Sequence, residues 1–368
     1  MSEHLVYAAS ASFESARRLP AAAGAPHLQR LHGHSFQASV RMPAPPSFRG
    51  GEVDALRERL QQAVAPLDYQ LLNEQVELPT DEGLAQWLRA RLGGAEALLV
   101  GVQSTASGGV DLPAGDAPSH WRRYRFESAH RLPRVAPGHK CGRMHGHGFA
   151  VVLRAATGAG AGAEPGGDTA SARLDRAWAP LQAQLHHACL NDIAGLENPT
   201  SEALARWIWT HVQPQLPALR RVTVFETATC GAHYDGQGFR IWKDLGFDSA
   251  VRLHNAPERD PRRSVHGHSY RLRLHLAAPL DQVLGWTIDF GDVKEVFAPV
   301  FARLDHHPLQ ELPGVADAGS AAIARWIRTE AAAGLPQIDR IDLYDTPGCG
   351  VILSWGGAEA GRVGALPG

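Results

Sequence analysis

An α+β chain made of three copies of one ββααββ unit is what this 368-residue sequence predicts. Two observations lead there. A set of markers recurs three times in one order, and within each copy the apolar period changes from two to the helical spacing and back to two. "FESARRLP" at Phe13, "FESAHRLP" at Phe126 and "FDSAVRLH" at Phe247 open the copies, and His-Gly-His follows at His32, His145 and His266. "LDYQLLNE", "LHHACLND" and "LDHHPLQE" come next, and Trp87, Trp207 and Trp326 then recur at intervals of 120 and 119 residues. A repeat of that length is a small domain rather than a solenoid turn. The expected units are 1–118, 119–240 and 241–368, with boundaries near Ser119 and Ile241.

The middle copy shows each element in turn. "HWRRYRFESAH" and "HGHGFAVVLRA" alternate apolar and polar residues between Pro and Gly, which predicts an antiparallel strand pair. "ARLDRAWAPLQAQL" and "SEALARWIWTHVQ" carry apolar residues at helical spacing. "NPTSE" opens the second helix, with Thr200 as cap and Glu202 in the first turn, where the helix dipole favours negative charge. "RRVTVFETA" returns to strand, and "AHYDGQGFRIW" adds another. The Gly/Ala stretch "ATGAGAGAEPGGDTASA" reads as a loop inside the unit, because the marker order continues across it.

Composition narrows the function. Apolar residues make up 44%, and 36 Lys plus Arg nearly balance 38 Asp plus Glu. That balance argues against nucleic acid or an anionic membrane surface as partner. No apolar run is long enough to span a bilayer and no secretory signal is expected, so the reading is cytoplasmic. The four cysteines form no C-x-x-C pair, which fits a reducing compartment. Nineteen histidines direct attention to metal or acid–base chemistry.

His145 and His147 lie two apart on a predicted strand, so both rings share a face. His130 ends the strand expected to pair with it. Three imidazoles without a fourth protein ligand form the pattern of a catalytic zinc with an open position. An isolated His-Gly-His reads as a tight strand whose rings are satisfied by hydrogen bonds; the third histidine and nearby Cys141 turn the reading to metal. Lys140, Arg143 and a metal would help form the Cys141 thiolate, whereas an inert thiol is the alternative. Cys189, Cys230 and Cys349 have no comparable setting and read as structural. Glu226, an acid in the apolar strand "VFETA", either grips the N–H groups of a heterocycle or faces outward.

These motifs, "FESAHRLPRVAPGHKCGRMHGHGF", "LNDIAGLENPTSEALARWIW" and "VFETAT", resemble the 6-carboxytetrahydropterin synthases of bacterial queuosine biosynthesis and, more broadly, the 6-pyruvoyl-tetrahydropterin synthases. The middle unit matches along nearly its whole length and the outer units more loosely. The resemblance implies a tunnelling fold: three units closing a pseudo-trimeric twelve-stranded barrel, with helices outside and two rings stacked as a homodimer. It implies His130, His145 and His147 as ligands of one Zn²⁺ per chain, Cys141 as proton-transfer thiol and Glu226 as pterin anchor. Lys140 and Arg143 are candidates for the triphosphate of a small-molecule substrate, 7,8-dihydroneopterin triphosphate. The implied products are 6-carboxytetrahydropterin, acetaldehyde and triphosphate. A pyruvoyl-forming synthase, or a pterin- and zinc-binding protein without turnover, is the alternative.

Departures from the pattern are informative. Arg17, Leu28 and Gln103 stand in the first unit, and Val251, Arg262 and Asp345 in the third, at the positions of first ligand, cysteine and anchor. The middle unit has His186 and His187 where the family's Asp-His pair stands, and Ala170 where an "IDF" phrase has Asp. The third unit keeps both, as Asp305-His306 and "WTIDF" with Asp289. The expectation is a shared site: Asp305 and His306 serve Cys141 from the third unit, with His187 as the competing candidate.

Overall fold

The structure is a computed structural model that describes residues 3–19, 26–94, 97–156, 169–281, 284–315, 317 and 319–355. Most of the Gly/Ala stretch expected as a loop, residues 157–168, lies outside the described residues.

The first unit contributes β1 (His4–Arg17), β2 (His32–Met42), α1 (Glu52–Val64), β3 (Gln70–Leu71), α2 (Leu72–Gln75), α3 (Asp81–Arg91), β4 (Leu99–Thr105) and β5 (Gly108–Pro113). The second has β6 (Ser119–His130), β7 (His145–Ala156), α4 (Ala170–Leu185), α5 (Ser201–Val212), β8 (Leu219–Thr227) and β9 (Cys230–Tyr234). The third has β10 (Phe239–Val251), β11 (His266–Leu276), α6 (Phe290–Leu304), α7 (Ser320–Ala331), β12 (Ile338–Thr346) and β13 (Cys349–Ser354). Apart from the two-residue β3, each strand pairs antiparallel with the next, and β13 pairs with β1 from His4↔Ser354 to Ala8↔Gly350. The result is a closed twelve-stranded antiparallel barrel with no open edge.

Strand alternation sorts the two faces. On β7, Phe149, Val151 and Leu153 pack under the α4 and α5 residues Leu174, Trp178, Leu204 and Ile208. The intervening Ala150 and Val152 join Trp121, Phe225 and Trp242 on the inner face. The helices therefore form the outer layer. Burying each such side chain contributes about 1.5–3 kcal/mol, so the helix-side face fixes the strand register. Ions line the inner face: Arg154 pairs with Asp111, Arg273 with Asp244, and Arg340 with Asp342.

Local chemistry sets the helix starts. The side chains of Thr80, Thr169 and Thr200 accept from Gly83, Ala172 and Ala203 backbone N–H groups, capping α3, α4 and α5. Asp289 caps α6 in the same way. Each unit also carries a stacked cross-strand aromatic pair: Phe13–Phe36, Phe126–Phe149 and Phe247–Tyr270, with centroids 4.9, 5.1 and 4.9 Å apart. These pairs form the floor below each His-Gly-His.

Tyr69, His187 and His306 have left-handed backbones, with φ of 55°, 59° and 58°. Each backbone N–H donates to an acidic residue's carbonyl on the unit's first long strand: Glu14, Glu127 and Asp248. Those bonds hold a conformation that a non-glycine residue adopts only at a cost. All three side chains are exposed.

Candidate functional site

In the middle unit the strand register places His130 directly opposite His145, with His147 two residues along. The ring centroids lie 4.5, 5.2 and 4.9 Å apart. One ring nitrogen from each lies within 4.8 Å of the others, the arrangement needed to hold a metal ion. Backbone carbonyls orient two of the rings. His130 Nδ1 meets Pro199 O at 3.1 Å, and His145 Nδ1 meets Arg143 O at 2.8 Å. Those bonds place the proton on Nδ1 and leave Nε2 as the ligand atom. The Nε2 atoms of His130 and His147 are buried and lack any hydrogen-bond partner. Burial pushes both imidazoles below the ordinary value, against the pull of Glu226, and so favours the neutral form that coordinates. This donor set fits a divalent zinc or a similar ion.

Cys141 occupies a short 3₁₀ turn, Lys140–Gly142, between β6 and β7. Its backbone N–H donates to His139 Nδ1 at 3.2 Å, and its carbonyl accepts from Leu132 N at 2.8 Å. His139 Nε2 lies 3.7 Å from Asp289 Oδ2, so the third unit reaches the cysteine turn through the cap of α6. Burial pushes the thiol up, the Glu226 and Asp289 carboxylates add to this, and Lys140 opposes it. His139 was not singled out from sequence. Its signal was the paired "GHKC" and "IDF" phrases, which stand 150 residues apart.

Glu226 turns toward the histidines. Its Oε2 accepts from Ser201 Oγ at 2.5 Å, and its Oε1 lies 3.7 Å from His147 Nε2. Glu202 is almost fully buried and accepts from Thr287 N of the third unit at 2.7 Å. Asn198 and Thr200 donate to Leu284 and Gly285 carbonyls beside it. The site is therefore built across the junction of the second and third units.

The remaining expected residues lie elsewhere. Lys140 and Arg143 are exposed at the mouth of the turn. Asp305 and His306 form a pair, Nδ1 to Oδ2 3.0 Å, with the His306 side chain 77% exposed. They follow the C-terminus of α6, whereas Asp289, the third-unit carboxylate that influences Cys141, caps its N-terminus. A 15-residue helix is about 22 Å long, so α6 separates this pair from Asp289. His187 lies 3.5 Å from Glu127 and stacks on His186. It shares the rim of an open groove with His147, and Cys141 is not among the groove's lining residues.

Among the described residues, the outer units lack the metal geometry. Arg17 puts a guanidinium where the first imidazole would be, bonded to Asp81 Oδ1 and Pro79 O at 2.8 Å each. Val251 puts buried apolar carbon there. Among the described residues, His130, His145 and His147 are the group whose ligand atoms converge.

A closed barrel of three ββααββ units, whose middle unit carries the three-histidine cluster and Cys141, defines the class. The family model for 6-pyruvoyl tetrahydropterin synthase matches residues 7–100, 120–237 and 240–354. The chain belongs to that family. It is 38% identical over 122 residues to the 6-carboxy-5,6,7,8-tetrahydropterin synthase of Synechocystis sp., covering 31% of this chain and 90% of that protein. It is 33% identical over 86 residues to a putative 6-carboxy-5,6,7,8-tetrahydropterin synthase of Archaeoglobus fulgidus, covering 23% and 72%. Among solved structures, the Caenorhabditis elegans 6-pyruvoyl tetrahydropterin synthase aligns at TM-score 0.29 and 18% identity, over 32% of this chain and 94% of that one.

Proposed function

We propose that the chain is a zinc-dependent 6-carboxy-5,6,7,8-tetrahydropterin synthase of queuosine and 7-deazapurine biosynthesis, with one active site per chain in the middle unit. The observation that carries this reading is the convergence of three imidazoles in the unit that also carries Cys141. The reaction would take 7,8-dihydroneopterin triphosphate and water to 6-carboxytetrahydropterin, acetaldehyde and triphosphate. Because a carbon–carbon bond of the side chain is cleaved, the enzyme would be a lyase.

His130, His145 and His147 would hold the metal. When bound, zinc supplies Lewis acidity to the side-chain hydroxyls. Glu226, steadied by Ser201, accepts N–H bonds from the pterin ring and sets its depth in the pocket. Cys141 moves protons on the side chain, while His139 and Asp289 hold its turn in place. Lys140 and Arg143 face the triphosphate. The Asp-His pair acting on Cys141 would be Asp305 and His306 offered by a second ring in a homodimer. The unit limits are proposed as 1–118, 119–240 and 241–368, with the last shifted to the start of β10 at Phe239, and the four free cysteines support a reducing cytoplasm.

The test is purified chain with 7,8-dihydroneopterin triphosphate, followed by mass spectrometry and a zinc count. Carboxytetrahydropterin with acetaldehyde, at about one zinc per chain, is expected. A pyruvoyl product would assign the other branch of the family, and zinc without triphosphate release would make the chain a binding protein. His306→Ala should abolish turnover and His187→Ala should not; the reverse result would move the proton relay to His187.

A further inference from the structure

A cavity of about 470 Å³ lies at the junction of the third and first units, lined by third-unit residues together with Gly50, Asp54, Arg57 and Glu58 of the first. Its size falls within the range of small-molecule sites. Val251, Leu253 and Tyr270 supply apolar wall, and Asp345 lies among the lining residues. Asp345 occupies on β12 the place that Glu226 has on β8. Its Oδ2 accepts from Ser320 Oγ at 3.0 Å, as Glu226 accepts from Ser201, and both serines open the helix that follows the paired loops.

His266 and His268 remain in the lining, but the first imidazole and the cysteine are gone. Val251 replaces the first imidazole, and Arg262 stands at the cysteine position. Arg262 is clamped by Asp260 on its own turn and by Asp54 of α1 in the first unit, each at 2.6 Å. Arg57 pairs with Asp54 at 2.7 Å. Both arginines are engaged by carboxylates, and Glu58 adds another acid to the lining. The middle site, by contrast, has exposed Lys140 and Arg143 at its mouth. A phosphorylated ligand has little to gain in the third-unit cavity, whereas a neutral ring with adjacent N–H donors would find a carboxyl at the back and apolar walls beside it.

We infer that the third unit's cavity is a non-catalytic binding site for an uncharged, unphosphorylated heterocycle bearing a 2-amino-4-oxopyrimidine edge, gripped by Asp345. The inference rests on the reading of Glu226 as the anchor of the same ring edge in the middle unit. Asp345 is one methylene shorter, which leaves room for a deeper ring. Burial first of all raises its carboxyl to about 6, so it remains mainly ionised at neutral pH and gains from two N–H donors.

Isothermal titration of the full chain with neopterin counts the sites. Two per chain are expected, falling to one in Asp345→Asn, to one in Glu226→Gln and to none in the double variant. Both substitutions are near-isosteric, and thermal melts identify any that fails to fold. Asp345→Asn should leave turnover of dihydroneopterin triphosphate unchanged. A single site lost only with Glu226→Gln overturns the inference and leaves the central reading intact. Neopterin binding that neither substitution alters overturns both. Leu253→Trp, which narrows the cavity without touching the carboxyl, should also remove one site; retention of two sites in that variant counts against the assignment.

Discussion

His130 shows at the residue scale how strongly this site is predetermined. Its ring is almost fully buried, one nitrogen is fixed by Pro199 O, and the other has no partner in the protein. Such an atom costs free energy unless something coordinates it. His130→Ala should reduce bound zinc from about one per chain to near zero, measured by atomic absorption after gel filtration, whereas His266→Ala should leave the count unchanged. Glu202 makes the second prediction. Burial raises its carboxyl from the ordinary 4.5 to about 7, opposed by the Thr287 N–H bond. The folded chain therefore binds this proton more tightly than the unfolded chain. The associated stability is complete below pH 4.5 and is lost as pH rises through 7, by on the order of 3 kcal/mol. Glu202→Gln keeps an acceptor for Thr287 and stays neutral, so its melting temperature should exceed that of the parent at pH 8 and lose the advantage near pH 5. Equal pH slopes for the two proteins would remove Glu202 as the source.

The informative element is α6. Asp289 accepts from Gly291 and Asp292 N–H groups at 2.6 and 3.3 Å, and its other oxygen faces His139. One side chain thus starts a helix and steadies the cysteine turn of the neighbouring unit. Asp289→Ala should cost about 1 kcal/mol of stability through the lost cap and lower kcat about tenfold or more through His139. Asp289→Ser should restore the cap but not the rate; recovery of both in Ser would confine Asp289 to a structural role. Much of this architecture was legible in the sequence. Period-two spacing put His145 and His147 on one face, "NPTS" announced the start of α5, and the threefold marker order gave the unit. What stayed hidden depends on contacts across unit junctions. Nothing local to "GHKC" says that Asp289 stands opposite it. Likewise, nothing local to "LDHH" says that a helix about 22 Å long separates Asp305 from Asp289.

At the scale of the whole molecule, barrel closure puts Tyr69, His187 and His306 at equivalent places around one ring, all exposed and all held by the same backbone bond. In the proposed homodimer, a second ring meeting that rim would receive His306 at its own Cys141. Chains carrying Cys141→Ala and chains carrying His306→Ala should each be inactive alone. Mixed after reversible dissociation, they should regain about a quarter of wild-type turnover, because half the dimers are mixed and each mixed dimer holds one complete site. No recovery from mixed particles of confirmed composition would rule out a shared site. The seam between β1 and β13 carries a further implication. In a circle of interchangeable subunits, every substitution is copied to all three arcs at once, so no arc can specialise. Here the arcs share one polypeptide and can drift apart: the cap of the first long helix is Asp289 beside the arc holding Cys141 and Thr169 in the middle arc. Covalent joining has turned a symmetric ring into one whose three stations can hold different jobs.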